Sequence, residues 1–249
     1  MNLLTWNIQA CIGTSRYRDY LLRAYRQVMH TPAKAVVLEQ IARTIAAYDV
    51  VCLQEVDLGG RRAAFRSQVG DIAAMSGHAH VAVQENRIVP AISRHGNAIL
   101  SRAPLRAVRD VKLPGRLAGR GCLVADVEGE TPVRIGCLHL SLGRADQEIQ
   151  LAAVAETLNG SGAWAVAGDF NCTTRSAPLL AFCEATDGRI PTVSPPTFPA
   201  WRPRHDFDHI VAGGALELED YRSGDADLSD HLPVAARGVL GRTAGIVRP

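Results

Sequence analysis

Ala163-Trp164-Ala165-Val166-Ala167-Gly168-Asp169-Phe170-Asn171 is a short apolar run that stops in a carboxylate and an amide. Residues 163–167 read as a β-strand from their apolar content. An ionisable group at the end of such a strand is either a desolvation cost or in use, because a partly buried charge needs a partner or a metal. The arrangement recurs along the chain. Asn7 closes the apolar run 3–8, Gln54-Glu55 ends the run 50–56, and His139 lies near the end of 133–140. Asp206-Phe207-Asp208-His209 opens the run 207–211, and Ser229-Asp230-His231 opens 232–239.

Further strand candidates are 78–83, 98–101 and 122–127, which is too many for one small sheet. Helical spacing predicts a helix over 31–48, with Thr31 as cap, Pro32 in the first turn and Val37, Ile41, Ile45 and Tyr48 on one face. Other helices are expected at 65–75, at 146–158 with Ile149, Ala152, Ala153 and Leu158 inward, and at 177–183. Many strands with a few helices imply two packed sheets with helices outside, an α/β architecture. No proline- or glycine-rich linker divides the chain, so 1–249 is expected to be a single domain.

Composition narrows the partners. With 47% hydrophobic and 21% charged residues over 249 positions, the chain can bury a sizeable core. A formal net charge of +2 does not by itself argue for a nucleic-acid or anionic-membrane partner. Lys34 and Lys112 are the only lysines, so nearly all positive charge is arginine, whose planar fork suits phosphate, although a genomic coding bias toward Arg and Ala is the favoured explanation. The cysteines, Cys11, Cys52, Cys122, Cys137, Cys172 and Cys183, lack metal-site spacing and read as reduced and structural. No apolar run reaches the roughly 18 residues of a membrane span, and the N-terminus has no signal-peptide pattern. A cytoplasmic monomer without integral membrane association is the expectation.

Each strand-end residue has an ordinary structural reading. Taken alone, Asn7 is a turn former, Glu55 a solvated strand end, His139 a satisfied core histidine and Asp169 a cap. The functional reading rests on the set, since carboxylates and imidazoles aimed at one sheet edge from scattered positions are what a metal-assisted hydrolase needs.

Seven blocks carry a resemblance: Leu4-Thr5-Trp6-Asn7-Ile8, Cys52-Leu53-Gln54-Glu55-Val56, Gly96-Asn97-Ala98-Ile99-Leu100-Ser101-Arg102, His139-Leu140, Gly168-Asp169-Phe170-Asn171, Phe207-Asp208-His209-Ile210 and Ser229-Asp230-His231-Leu232-Pro233. In this order they resemble the signature of the endonuclease/exonuclease/phosphatase superfamily. The resemblance implies a DNase I-like, four-layer α/β/β/α sandwich around two mixed, mostly antiparallel sheets. It implies that Glu55, with Asn7 and Asp230, holds Mg²⁺ or Mn²⁺, hard cations suited to oxygen ligands. It further implies that Asp169 and Asn171 orient and deprotonate the attacking water. His231, held by Asp208, would stabilise or protonate phosphate oxygens, with His139 binding the phosphate. Asn97 resembles a residue that contacts the phosphate or supports the site, while Gly96-Asn97 is also a good turn dipeptide.

The expected reaction is in-line attack of water on a phosphodiester, with nucleic acid the favoured substrate. A phospholipid head group or a small phosphoester is the alternative, and an inactive binding module is the least favoured reading. Abasic-site endonucleases carry an acid where this chain has Gln9, and their DNA-binding insertions are not recognisable, which argues against a repair role. Trp201, Arg202 and Arg204, in the proline-rich loop ahead of Asp208, are candidates for the cleft edge, where an aromatic beside arginines can stack on a base and hold phosphates. The alternative is a rigid surface loop with Trp201 packed on the body. Residues 16–26, with Tyr17, Tyr20 and Tyr25 among arginines, form either a second cleft wall or a helix with its tyrosines inward.

Overall fold

The computed structural model describes residues 1–241; the last eight positions of the expected domain 1–249 lie outside the described residues. The first sheet contains β1 (Asn2–Asn7), β2 (Val50–Asp57), β3 (His80–Val89), β4 (Ser93–Ser101), β10 (Leu216–Ser223) and β11 (Val234–Leu240), in the order β10-β11-β1-β2-β4-β3. The second contains β5 (Leu105–Lys112), β6 (Gly121–Val127), β7 (Val133–His139), β8 (Ala163–Asp169) and β9 (Asp208–Gly214), in that order. Each sheet has a parallel pair, β1 with β2 and β7 with β8. Parallel neighbours need a crossover, and helices α2 (Pro32–Ile45) and α4 (Arg144–Leu158) supply it. Helices α1 (Tyr17–Leu22), α3 (Gln68–Ser76) and α5 (Ala177–Thr186) complete the set.

Side chains that alternate along a strand fill different layers. Leu3, Val50, Cys52 and Ile99 meet Leu123, Ile135, Ala165 and Ile210 between the sheets. Their neighbours Leu4, Trp6, Val51, Leu53 and Leu100 face outward under Ile41, Ile45 and Ile72 of α2 and α3. On the other side Val124, Leu138, Trp164 and Val166 meet Leu151, Val154, Leu179 and Phe182 of α4 and α5. The result is the expected four-layer sandwich of two mixed sheets between helices. Among the described residues no helix is long and apolar enough to cross a membrane.

Several local expectations are corrected. Strands β5 and β10 were not anticipated, because both are sheet edges with mostly solvated side chains and carry no apolar run. Gly96-Asn97 lies inside β4 and not in a turn, and a Cβ at Gly96 would meet the Gln84 carbonyl oxygen at 2.1 Å. Thr31 precedes α2 without capping it, and the buried stripe of that helix is Lys34, Leu38, Ile41, Ala42 and Ile45. Helix α4 turns Gln147, Gln150, Leu151, Val154 and Leu158 inward and leaves Ile149 exposed. Its glutamines dock on backbone: Gln147 Nε2 donates to the Ser141 and Asn171 carbonyls, and Gln150 Oε1 accepts from Ser141 N–H. Apolar periodicity cannot register that polar anchoring. Of the tyrosines of 16–26, Tyr17 and Tyr25 are exposed and Tyr20 reaches the body through its hydroxyl; it is Asp19 that is buried.

Candidate active site

Strand register places the first three groups. β7 and β8 run parallel with His139 opposite Asp169, and β8 and β9 run antiparallel with Asp169 opposite Asp208. An imidazole and two carboxylates therefore stand side by side at one sheet edge. β8 can approach β7 because residue 168 is glycine; a Cβ there would lie 2.0 Å from the Leu138 carbonyl oxygen.

The first sheet faces them with Asn7 and Glu55. Asn7 Nδ2 donates to Asp169 Oδ2 at 3.0 Å and to Glu55 Oε1 at 3.4 Å, and its Oδ1 accepts from Gln9 N–H. Glu55 has a left-handed backbone (φ 55) where the register between β2 and β4 shifts, from Leu53 to Val56. That irregularity interrupts regular pairing at the position where the carboxylate is needed.

The loop before β11 brings Asp230 and His231. The buried Trp6 indole donates to the His231 carbonyl at 2.8 Å, fixing the loop to the first sheet. His231 Nδ1–H donates to Asp208 Oδ2 at 2.8 Å, and Thr197 Oγ1 donates to the same oxygen at 2.5 Å. With Nδ1 committed, Nε2 points toward Asp169 Oδ2, 3.8 Å away. Asp230 Oδ2 accepts from Gln9 Nε2 at 2.9 Å and from the Tyr20 hydroxyl at 2.8 Å.

Charge states follow from this packing. Burial alone would lower the His231 pKa, but Asp208, Asp169 and the bond to Asp208 outweigh it and raise the imidazole well above its ordinary range. Burial pushes Asp169 up to about 7, opposed by the His231 charge and reinforced by Asp208. Burial, then the Asp230 charge, raises Glu55. His139 moves the other way, depressed by burial and by Arg120, whose Nη1 donates to His139 Nε2 at 2.9 Å. The site thus pairs a charged imidazole, His231, with a neutral one, His139.

Seven expected residues, Asn7, Glu55, His139, Asp169, Asp208, Asp230 and His231, lie around one cleft. The others are placed differently. Asn171 meets Asp169 Oδ1 through its backbone N–H at 2.9 Å, while its side-chain amide donates to the Leu140 carbonyl. Asn97 lines the cleft, yet its amide is buried and bridges Gln84 Oε1 and the Gly121 carbonyl, both at 3.0 Å. Trp201 stands edge-on to Tyr17 and Tyr20, with ring centroids 5.2 and 6.0 Å away. Arg202 and Arg204 are exposed and share a groove with Tyr17, Phe198, Pro199 and His205.

Arg120 and Thr197 were not anticipated, and Tyr20 was expected only as part of a candidate second wall. Arg120 had a signal, since only Gly121 separates it from the apolar run 122–127, much as Asp230 lies just ahead of 232–239. It lines a pocket of about 170 Å³ with Glu55, Asn97 and His139, whose far wall includes Arg87 and His95. No sequence signal connects Tyr20 to Asp230 or Thr197 to Asp208.

Which oxygens suit a metal can be judged from their commitments. Asp169, Asp208 and His231 offer ligand atoms within 4.8 Å of one another. Asp208 Oδ2 and His231 Nδ1 are bonded to each other, which commits one atom of each, and Nε2 of the same imidazole faces Asp169 at 3.8 Å. Glu55 is different: its one hydrogen bond among the described residues is the long one from Asn7, and Asp230 raises its pKa. Two carboxylates that repel one another form an oxygen donor pair that fits a hard divalent cation, and the Asn7 amide stands beside them with Nδ2 toward Glu55.

A family model described as "Endonuclease/Exonuclease/phosphatase family" matches residues 4–231. The chain is 32% identical to YbhP of Escherichia coli (strain K12), an uncharacterized protein, over 227 residues that cover 80% of this chain and 86% of that protein. Among solved structures it resembles an endonuclease/exonuclease/phosphatase from Beutenbergia cavernae DSM 12333, with a TM-score of 0.77 and 23% identity, over 97% of this chain and 72% of that one. It also resembles the mannosyl-6-phosphatase Bt3783 of Bacteroides thetaiotaomicron VPI-5482, with a TM-score of 0.69 and 14% identity, over 96% of this chain and all of the other (100%).

Proposed function

The chain belongs to the endonuclease/exonuclease/phosphatase family, and from that premise we propose that it is a divalent-metal-dependent phosphoesterase that hydrolyses a phosphodiester with water as nucleophile. The observation that carries this reading is Asp169, whose carboxylate lies 3.4 Å from His139 and 3.8 Å from His231 at the edge where Glu55 and Asn7 converge. Phosphatase chemistry in a relative of the same fold supports the reaction class.

In this reading Glu55 and Asp230, with Asn7 beside them, would hold Mg²⁺ or Mn²⁺. When bound, such an ion offsets the anionic charge that makes phosphodiesters resist nucleophiles. Asp169, with a pKa pushed up to about 7, accepts the proton of the attacking water near neutral pH. Its Oδ1 is held by the Asn171 N–H and its Oδ2 by Asn7, so the acceptor is fixed before substrate arrives. His231 carries positive charge maintained by Asp208 and donates from Nε2 to a phosphate oxygen that gains charge in the transition state. The Arg120 guanidinium, through its bond to Nε2, fixes the tautomer of neutral His139 with the proton on Nδ1. Arg120 also adds a cation to the pocket wall beside His139, where it would attract a phosphate.

Hydrolysis of bis-p-nitrophenyl phosphate tests this directly. Turnover is expected with Mg²⁺ or Mn²⁺, none with EDTA, and little in Glu55→Gln. Asp169→Ala should lower kcat by about 10²–10⁴-fold, the usual range for a positioned general base. Wild-type turnover in Asp169→Ala would sink the assignment.

A further inference from the structure

Residues 16–30 expose an unusual set of side chains. Tyr17, Leu21, Leu22, Tyr25 and Met29 are 70%, 84%, 66%, 51% and 47% exposed, and Val28 is also in contact with solvent. The stretch is held in place nonetheless. Asp19 is turned inward, accepting from Ser15 N–H and Oγ and pairing with Arg23. Arg23 and Arg26 reach back to the carbonyls of Gly13 and Ile12. The short helix α1 is thus inverted relative to an ordinary surface helix, with its acid inside and its large apolar groups outside.

We propose that this face, with Trp201, Arg202 and Arg204, docks on an anionic lipid surface and presents the cleft to phospholipid head groups; the choice of substrate rests on the phosphodiesterase reading above. Two features argue for that occupant. The first is composition: tyrosines and a tryptophan with polar tips, leucines and a methionine for the acyl boundary, and arginines for lipid phosphates are the signature of interfacial segments. The second is charge. The stretch 16–30 has four arginines against one aspartate, and Arg202 and Arg204 extend the basic rim. Asp19 faces Arg23 and Arg18, Asp227 lies close to Arg16 and Arg23, and Arg204 shares a pocket with Asp206, which leaves this face with more arginines than acids. Anionic leaflets attract such juxtaposed basic groups.

The same face adjoins the cleft. The Tyr20 hydroxyl is bonded to Asp230, and Trp201 bridges Tyr17 and Tyr20, so docking there brings a bilayer to the rim of the site. A nucleic acid would stack on the aromatic rings but would leave Leu21, Leu22 and Met29 against a charged backbone. A second copy joined by a two-fold axis would bring together two faces of the same net positive sign.

Co-sedimentation with vesicles tests this without turnover. Wild type should bind phosphatidylcholine vesicles containing 30 mol% phosphatidylglycerol about tenfold or more tightly than pure phosphatidylcholine, with binding weakened by salt. The double variant Leu21→Ser/Leu22→Ser and, separately, Arg18→Glu should each lose about tenfold, while circular dichroism melts verify folding. Absence of vesicle binding, or no loss in either folded variant, overturns the inference. So does binding of a single-stranded oligonucleotide, or self-association, that the leucine variant abolishes. Hydrolysis of bis-p-nitrophenyl phosphate without vesicle binding defeats this inference alone; vesicle binding without hydrolysis defeats only the proposed reaction.

Discussion

Glu55 holds a carboxylate where negative charge is unfavourable, because burial and Asp230 both favour the protonated form. A carboxyl whose folded pKa is raised stabilises the fold while protonated. That contribution is lost as pH rises from the ordinary 4.5 through the raised value. At pH 8 in EDTA, Glu55→Gln should therefore melt above wild type, since the amide keeps the bond from Asn7 without the charge. Mg²⁺ or Mn²⁺ should then raise the wild-type melting temperature and act weakly on the variant. A variant that melts lower in EDTA, measured by differential scanning fluorimetry, would contradict this account. At the same scale, His139 and His231 show why residue type alone does not define a role. Neighbouring Asp208 favours the cationic form of one imidazole, whereas burial and then Arg120 favour the neutral form of the other.

Strands β7, β8 and β9 align His139, Asp169 and Asp208 through register, so anything that separates two of these strands separates the groups. Gly168 is the vulnerable point. Gly168→Ala must push a methyl against the Leu138 carbonyl or part the strands, and overpacking of this kind costs about 1–3 kcal/mol. Urea unfolding should show that loss, together with reduced turnover from a displaced Asp169; unchanged stability would mean the strands are not in close contact there. Element-scale legibility was uneven. Buried strands such as β2 and β8 declare themselves by unbroken apolar runs, whereas β5 and β10 are edges stabilised by a partner on one side and by solvent on the other. Helix α4 was found by its period but rotated wrongly, because Gln147 and Gln150 anchor it by hydrogen bonds to backbone.

On the scale of the whole molecule, the cleft exists only where the two sheets meet. The first contributes Asn7 and Glu55 and, through the loop before β11, Asp230 and His231; the second contributes His139, Asp169 and Asp208. Asn97 fastens this seam, because its buried amide runs from β4 to the Gly121 carbonyl of the opposite sheet. Asn97→Ala strands that carbonyl and Gln84, and should lower stability by about 1–3 kcal/mol in urea unfolding. A residue that touched only substrate would leave stability unchanged. From the sequence by itself came the sandwich architecture and the strand-end residues gathered around the cleft, because an apolar run that stops in a carboxylate or imidazole is a local pattern. The pairing of Asp208 with His231 was likewise expected and is formed at 2.8 Å. Only the tertiary structure decided that Tyr20 reaches Asp230, that Thr197 braces Asp208, that Arg120 faces His139 and that the 16–30 face is left uncovered. Those contacts join segments up to 210 residues apart, and the hydrogen bonds and charges that select them act through space, where spacing along a chain carries no signal.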